Sequence, residues 1–466
     1  MMRFLVCIAL LATSSPVIAQ GTPTLKAGAF AQDVTPEKFP ISVNGGFADR
    51  QATKANDTLH ARCLVLDDGK TKLALVVVDS CMLPRDLLDT AKASAEKKTG
   101  IPAGNILISA THTHTAPTAT PVFQSDPDPE YVTFLAAKIA LGIEKAHANL
   151  VPAKLAVVVG QEPNQVFNRR WKMKDGAMLS DPFGGMDKVK TNPARQSPDL
   201  VEPAGPTDPS VTVLSVRTAD DKPLAVYSGY SLHYVGDLPA LSADYFGVFA
   251  EVIGQKLKAG PGFVGMLSNG TSGDINNINF REATAKTKPG EKCRLVAEAV
   301  ADAAMKALDK AEYRSDVQLR SANSVIELPV RKPKPEDLKR AEEILEKAKG
   351  RELKGGEEVY ARETVKIQSY PDTVKVPLQA FRIGEFGIAS IPCEVFVEIG
   401  LAIKKNSPFK PTCVVSLANG YFGYLPTPEH HALGGYETWR ARSSFLGVTS
   451  SLAIEKELAE LLKKVR

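Results

Sequence analysis

The sequence predicts an α/β protein: a single large domain in which mixed β-sheets are covered by helices. Three observations predict it. Short apolar runs alternate with segments of helical periodicity, the pattern that buries a sheet on both faces. No internal repeat and no low-complexity linker divides the 466 residues. The composition, 44% hydrophobic and 24% charged, is that of an ordinary globular chain.

Residues 1–19 read as a leader. Arg3 gives a positive start, the stretch 4–12 is almost wholly apolar, and Pro16-Val17-Ile18-Ala19 ends on a small residue. This is the pattern of a secretory signal peptide cleaved near Ala19. The apolar run is too short for a bilayer-spanning helix, and no Cys follows it directly as in a lipoprotein. The expectation is export to the periplasm or the medium, with the mature domain at 20–466.

The elements then follow in order. Residues 72–78 (KLALVVV) read as a fully buried strand, 87–98 as a helix and 105–110 (NILISA) as a second buried strand. Helical periodicity returns at 131–148. Strands are expected at 154–159, 211–216 and 224–230, a helix at 246–258, a strand at 262–267 and a helix at 293–311. Residues 160–209, rich in Pro, Asp, Gly and Lys, read as a long excursion, which in a compact domain is commonly functional. The dense charges of 331–372 include a solvated helix at 335–349. A helix at 452–465 ends the chain.

Charge and cysteines narrow the function. The 57 Lys+Arg against 53 Asp+Glu leave +4, spread along the chain. That is no electrostatic footprint for nucleic acid. After the leader, no stretch is apolar for long enough to span a membrane. Cys7 belongs to the leader. The remaining Cys63, Cys81, Cys293, Cys393 and Cys413 are odd in number and lack C-x-x-C spacing. They are expected as buried free thiols, with one or two disulfides the alternative in an exported protein.

Seven histidines occur, and their placement points to a site. His112 and His114 follow the 105–110 run directly. In an extended chain residues i and i+2 share a face, so two imidazoles would converge from a strand end, a geometry for a metal. A pair of hydrogen-bonded histidines capping the strand is the alternative. His233 follows the 224–230 strand, and strand carboxyl ends are where ligands gather in α/β folds. Asp244 would orient it or, on spacing, cap the next helix. The loop Asn269-Gly270-Thr271-Ser272-Gly273-Asp274-Ile275-Asn276-Asn277 is either an anion- or carbonyl-cradling turn or a plain one. Glu394, after Pro392-Cys393, is a candidate helix-start carboxylate or metal ligand. Tyr424 and Tyr436 lie in a Gly- and aromatic-rich stretch that also holds His430-His431.

Taken in order, these pieces resemble the neutral/alkaline (non-lysosomal) ceramidase family. The resemblance runs over roughly residues 25–450. It is carried by Gly45-Gly46-Phe47-Ala48, His112 to Thr115, Asn168-Arg169, His233 with Ser242-Ala243-Asp244, the loop ending in Gly273-Asp274, Pro392-x-Glu394, and the pair Tyr424 and Tyr436. The fold it implies is that family's catalytic α/β domain. The chemistry it implies is zinc-dependent hydrolysis of an N-acyl amide. It implies His112, His233, Glu394 and Tyr424 as metal ligands, and His114, Arg169, Tyr436 and Asp274 as the catalytic set. A ceramide-like lipid is the implied substrate, met through at most transient contact with a membrane surface.

Three departures bear on that implication. Asn276 stands where the family has a Ser to which a nucleophilic or substrate-binding role is assigned, so a zinc-water mechanism survives and a serine mechanism does not. Arg170 stands where the family has Ser after Asn-Arg. The family's C-terminal β-sandwich is expected to be absent. Two other readings stay open: a zinc hydrolase of another small N-acyl amide, and a catalytically silent binder of lipid or glycan.

Overall fold

The apolar runs are apolar because both of their faces are buried. In the computed structural model, which describes residues 25–239 and 241–466, Ala74, Val76 and Val78 of the strand Lys72–Val78 pack among helices, while Leu73, Leu75 and Val77 pack on a second sheet. The neighbouring strand His60–Asp67 alternates in the same way, with Cys63 and Val65 to one side and Leu64 and Leu66 to the other. This period of two is the strand signature. The predicted leader lies outside the described residues.

Eight strands form the larger sheet, in the order Val264–Asn269, Pro223–Tyr230, Ser210–Thr218, Val151–Gln161, Lys26–Asp33, His60–Asp67, Lys72–Val78 and Ile106–Ala110. The interior pairs are antiparallel. The two edge pairs are parallel, and each is a strand–helix–strand unit. Arg85–Thr99 connects one and Asp244–Lys256 the other, as parallel neighbours require. Four strands, Leu319–Pro329, Thr373–Ile383, Phe386–Ser390 and Thr412–Val415, form the second sheet.

Helices cover the outer faces. Leu87, Leu88 and Ala91 of Arg85–Thr99 and Leu135 and Ile139 of Pro129–Ala148 cover one half of the large sheet. Phe246, Phe249, Val296 and Val300 cover the other half. Ile454, Leu458 and Leu461 of the last helix, Ser450–Lys464, cover the second sheet. The inner faces cover each other, with Leu64, Leu75 and Val77 against Phe381, Phe386 and Ile388. The mixed sheets covered by helices are therefore as expected on the outside, and the arrangement is a helix–sheet–sheet–helix stack.

The excursion at 160–209 is not structureless. Arg170–Met173 pairs with Val189–Thr191 and Leu200–Pro203, and Phe167–Asn168 pairs with Ile275–Asn276. The charged segment holds two helices, Pro335–Lys347 and Gly355–Gln368. All five described cysteines are free and buried. Among the described residues no helix is long and apolar enough to cross a membrane.

What positions a site is the meeting of the two sheet edges. Asn269, at the end of one edge strand, donates to the Thr111 carbonyl just past the other, at 3.3 Å. The segment 416–419 ties both: Ser416 N–H donates to Asn269 O, Ala110 N–H to Leu417 O and Asn419 N–H to Ile108 O. Loops leaving the two parallel edges thus share one place.

Candidate functional site

The histidines converge by a turn rather than by extended alternation. The strand ends at Ala110, and His112 adopts a left-handed backbone with φ 72°. That conformation is costly for a residue with a Cβ and is found where the surroundings enforce it. Here the His112 N–H donates to Ser80 O at 2.9 Å. The expected sharing of a face by i and i+2 does not apply, yet the rings meet: His112 Nε2 is 3.2 Å from His114 Nε2 and 3.1 Å from His233 Nε2.

The outer ring nitrogens fix the tautomers. His112 Nδ1 lies 2.9 Å from Cys81 O, and His233 Nδ1 lies 3.1 Å from Ser272 O. A carbonyl only accepts, so both Nδ1 atoms carry protons. In neutral rings both Nε2 atoms are then lone pairs, and they face each other. Glu394 Oε2 joins them 3.1 Å from His112 Nε2 and is buried with no hydrogen-bond donor. Its other oxygen accepts the Tyr421 hydroxyl at 2.9 Å. Ligand-capable atoms of His112, His233 and Glu394 all lie within 4.8 Å of one another. Zinc–ligand bonds of about 2.0–2.2 Å in a tetrahedron set ligands roughly 3.3 Å apart, close to these spacings. The donor set fits a metal ion.

The titration behaviour tells the same story. Burial opposes charge on His112, but the Glu394 carboxylate overcomes it and lifts the ring to about 10. His233 falls well below its usual value through burial and then the positive charge of Arg169. His114 falls likewise through burial and then His112. One positive charge is favoured at this point and more are not.

Around it stands a second wall. Arg169 is buried. Its Nε meets Glu437 at 3.1 Å, and its Nη2 donates to Gly273 O at 2.6 Å and the Tyr424 hydroxyl at 3.1 Å. Its Nη1 is 3.4 Å from His233 Nε2. Burial works against its charge, but Tyr436, Tyr424 and Glu437 hold the guanidinium firmly protonated. Tyr424 lies beside Glu394 on paired strands, with its hydroxyl 3.5 Å from that of Tyr436. Burial raises both phenols above their usual range. His114 stacks on Tyr234, with ring centroids 3.7 Å apart. Gly45 leaves it room: a Cβ there would come within 2.4 Å of the ring.

A cavity of about 360 Å³ opens over these groups, bounded by His112, His114, Arg169, Glu394, Tyr424 and Tyr436. This is within the range of small-molecule sites. Its mouth is aromatic. Phe47 packs edge-on against Phe123 at 4.8 Å, and Tyr360 joins both. Phe47 is nonetheless 44% exposed.

Seven of the eight predicted site residues thus come together, and Asp274 stands apart. Its carboxylate accepts from Asn168 Nδ2 at 2.7 Å and from the Val397 N–H at 2.9 Å. It clusters instead with Glu398 and His430. Burial, then Glu398, raises it to about 7. Its backbone carbonyl takes the Arg169 N–H, so it shapes the Arg169 loop and does not face the histidines. Asp244 accepts the N–H groups of Val235, Gly236 and Tyr245; it ties down the loop after His233 as well as its own helix start. Glu394 lies in a short paired strand, and the helix opens later at Val397.

Sequence reasoning missed Glu437, Tyr421, Tyr234 and Cys81. Glu437 was findable in principle: adjacent arginines at 169 and 170 need a carboxylate if both are buried, and Glu437 adjoins Tyr436. Arg170 is fully buried and pairs with Glu437 Oε2 at 2.8 Å.

No protein-family model matches the chain. Two solved structures are similar over 94% of it. One is a neutral ceramidase from Pseudomonas aeruginosa, at 19% identity and a TM-score of 0.71, with 74% of that chain covered. The other is a ceramidase complexed with C2, at 19% identity and a TM-score of 0.70, with 75% of that chain covered. At that identity the likeness establishes the fold, a mixed α/β domain of the kind these structures share.

Proposed function

We propose that the protein is a zinc-dependent amide hydrolase acting on N-acyl amphiphiles of the ceramide type. The observation that carries the reading is the convergence of His233 Nε2 and Glu394 Oε2, each 3.1 Å from His112 Nε2, in a buried pocket. Electron pairs brought this close in a dry interior need a positive charge among them, which is the proton on His112 when no metal is bound and the ion when one is. The similarity in fold to ceramidases adds the substrate class, and the aromatic mouth adds a place for an acyl chain.

His112, His233 and Glu394 would hold the ion, with Tyr424 beside them as a fourth ligand. When bound, zinc supplies Lewis acidity, polarising the amide carbonyl and acidifying the attacking water. The remaining work belongs to the chain. His114, held neutral by burial and the charges around it, can accept a proton from water and return it to the leaving amine. Arg169 has Nε committed to Glu437 and Nη2 to Gly273 and Tyr424; of the two N–H groups on Nη1 one is turned to His233 Nε2 and the second is left for a substrate oxygen. Tyr436 stays protonated and donates beside it. Asn276 lacks a hydroxyl, so no residue of that loop position attacks the carbonyl. Export, if the leader is cleaved as its pattern predicts, would place this activity outside the cytoplasm.

The test is metal content by elemental analysis of the protein purified without chelators, with N-acyl hydrolysis measured in parallel. About one zinc per chain, lost together with activity in His112→Ala, is the expected result. Full activity in protein stripped of metal would overturn the mechanism. Metal without hydrolysis of any N-acyl substrate would leave a metal-binding protein of the silent kind.

A further inference from the structure

Asn276, standing in place of the family's serine, does not face the histidines; it controls a second asparagine that does reach the cavity. Asn276 is buried, and its Oδ1 accepts the Ile278 N–H at 3.0 Å. An amide oxygen fixed as acceptor leaves the NH2 group as the free end. Asn276 Nδ2 accordingly donates to Asn192 Oδ1 at 3.0 Å. The same logic passes to Asn192. With its oxygen turned to Asn276, its own NH2 is the end left over, and it makes no hydrogen bond among the described residues.

Asn192 lies on the cavity wall next to Thr191 and Arg169. Its backbone is fixed as well. Its N–H donates to Arg169 O at 2.8 Å, and it sits at φ 49°, a left-handed conformation that Asn tolerates better than most residues. Thr191 is anchored through its hydroxyl to Glu437 at 2.8 Å. The amide is therefore held at one end, and the other is free on an exposed part of the cavity wall. Two cations stand behind this wall, since Arg169 and Arg170 share the carboxylate of Glu437.

We infer that Asn192 is a ligand-binding donor that selects an oxygen acceptor, hydroxyl or carboxylate, on the polar group of an amphiphile in the cavity, and that Asn276 is the positioning residue that sets its polarity. The inference rests on the hydrolase reading for its substrate class but not for its test.

The test uses ligands that cannot be hydrolysed. The protein, both as purified and after removal of metal by chelator, is titrated with decyloxyacetate, an acceptor head, and with 2-(decyloxy)ethylamine, a donor head, below their micelle concentrations, and the metal-free titration decides the outcome. Wild type is expected to bind the carboxylate more tightly. Asn192→Ala should weaken the carboxylate about tenfold, the size of one well-placed hydrogen bond, and leave the amine within twofold. Asn276→Ser should weaken the carboxylate by a smaller factor, because Asn192 loses the partner that orients it. Failure of wild type to bind either probe overturns the inference. So does an Asn192→Ala protein that binds both as wild type does, or that loses both equally. Hydrolysis of N-dodecanoylglycine by wild type is read separately. No hydrolysis beside intact Asn192-dependent binding would remove the hydrolase reading and leave the recognition standing.

Discussion

Glu437 is asked to serve two cations at once. One oxygen meets Arg169, the other meets Arg170 and the Thr191 hydroxyl, and the residue is fully buried. Burial pushes its carboxyl up, but Arg170 and Arg169 win and hold it below the usual carboxylate range. Its contribution to stability is thus present above the unfolded carboxylate pKa and is lost as the pH falls through the lower folded value. Glu437→Gln leaves two buried guanidiniums without a countercharge. A loss of about 3–5 kcal/mol is expected, measurable by urea unfolding near neutral pH. The gap from wild type should shrink in acid, and a variant as stable as wild type would mean that the arginines find other partners. His112 gives the opposite sign. Its metal-free pKa is raised to about 10, so the protonated ring stabilises the metal-free fold fully below its unfolded value near 6.5, and that contribution fades as pH rises through about 10. A metal must displace this proton. Apparent zinc affinity should therefore rise about tenfold per pH unit between pH 7 and 9, with about one proton released per ion in titrations compared across buffers. Affinity independent of pH would show that His112 does not ligate.

At the scale of elements, legibility followed burial on two faces. The stretch 73–78 is apolar throughout and 106–110 is apolar but for Ser109, because sheet lies on one side and helices on the other, so little interrupts the signal. Lys26–Asp33, in the middle of the same sheet, carries Ala, Gly and Gln (KAGAFAQD) and escaped notice. Its small residues answer to packing: a Cβ on Gly28 would lie 2.2 Å from the Ala146 carbonyl, where the long helix closes in. The region 160–209 reads as loop because its strands are only two to four residues long, too short for a period to register, although Arg169 sits between two of them. The closeness of His112 and His114 is expected from an extended chain, but it is a left-handed turn at His112 that brings the rings together, and no residue pattern marks that turn. The sheet-to-sheet layer yields an element-level prediction. Leu75 is fully buried between the two sheets, so Leu75→Ala should cost about 2–5 kcal/mol through lost transfer energy and a residual cavity. The loss should appear in unfolding midpoints while zinc content per folded chain stays unchanged. Loss of metal in the folded variant would show that this layer also shapes the site.

Across the whole molecule, the proposed ligands are far apart in sequence and come from different parts of the stack. His112 leaves one edge of the large sheet, His233 leaves the strand next to the other edge, and Glu394 follows the second sheet. The hydrogen bonds through 416–419 already hold these three regions together. An ion bound by all three would add a cross-link that the unfolded chain cannot reproduce. Ligand that binds only the folded state stabilises it by mass action, about 4 kcal/mol at a thousandfold excess over Kd. Thermal midpoints should therefore climb steadily with the logarithm of free zinc and fall to a lower plateau in chelator. In His112→Ala the same titration should be flat, its midpoint lying near the chelated wild type. Leu75→Ala should keep the full zinc response from its lower starting point, which separates damage to packing from damage to the junction. A wild-type midpoint indifferent to zinc and chelator, in protein shown to be free of metal at the outset, would mean that the three regions are fastened by their hydrogen bonds alone and that the convergence of lone pairs is relieved by the proton on His112.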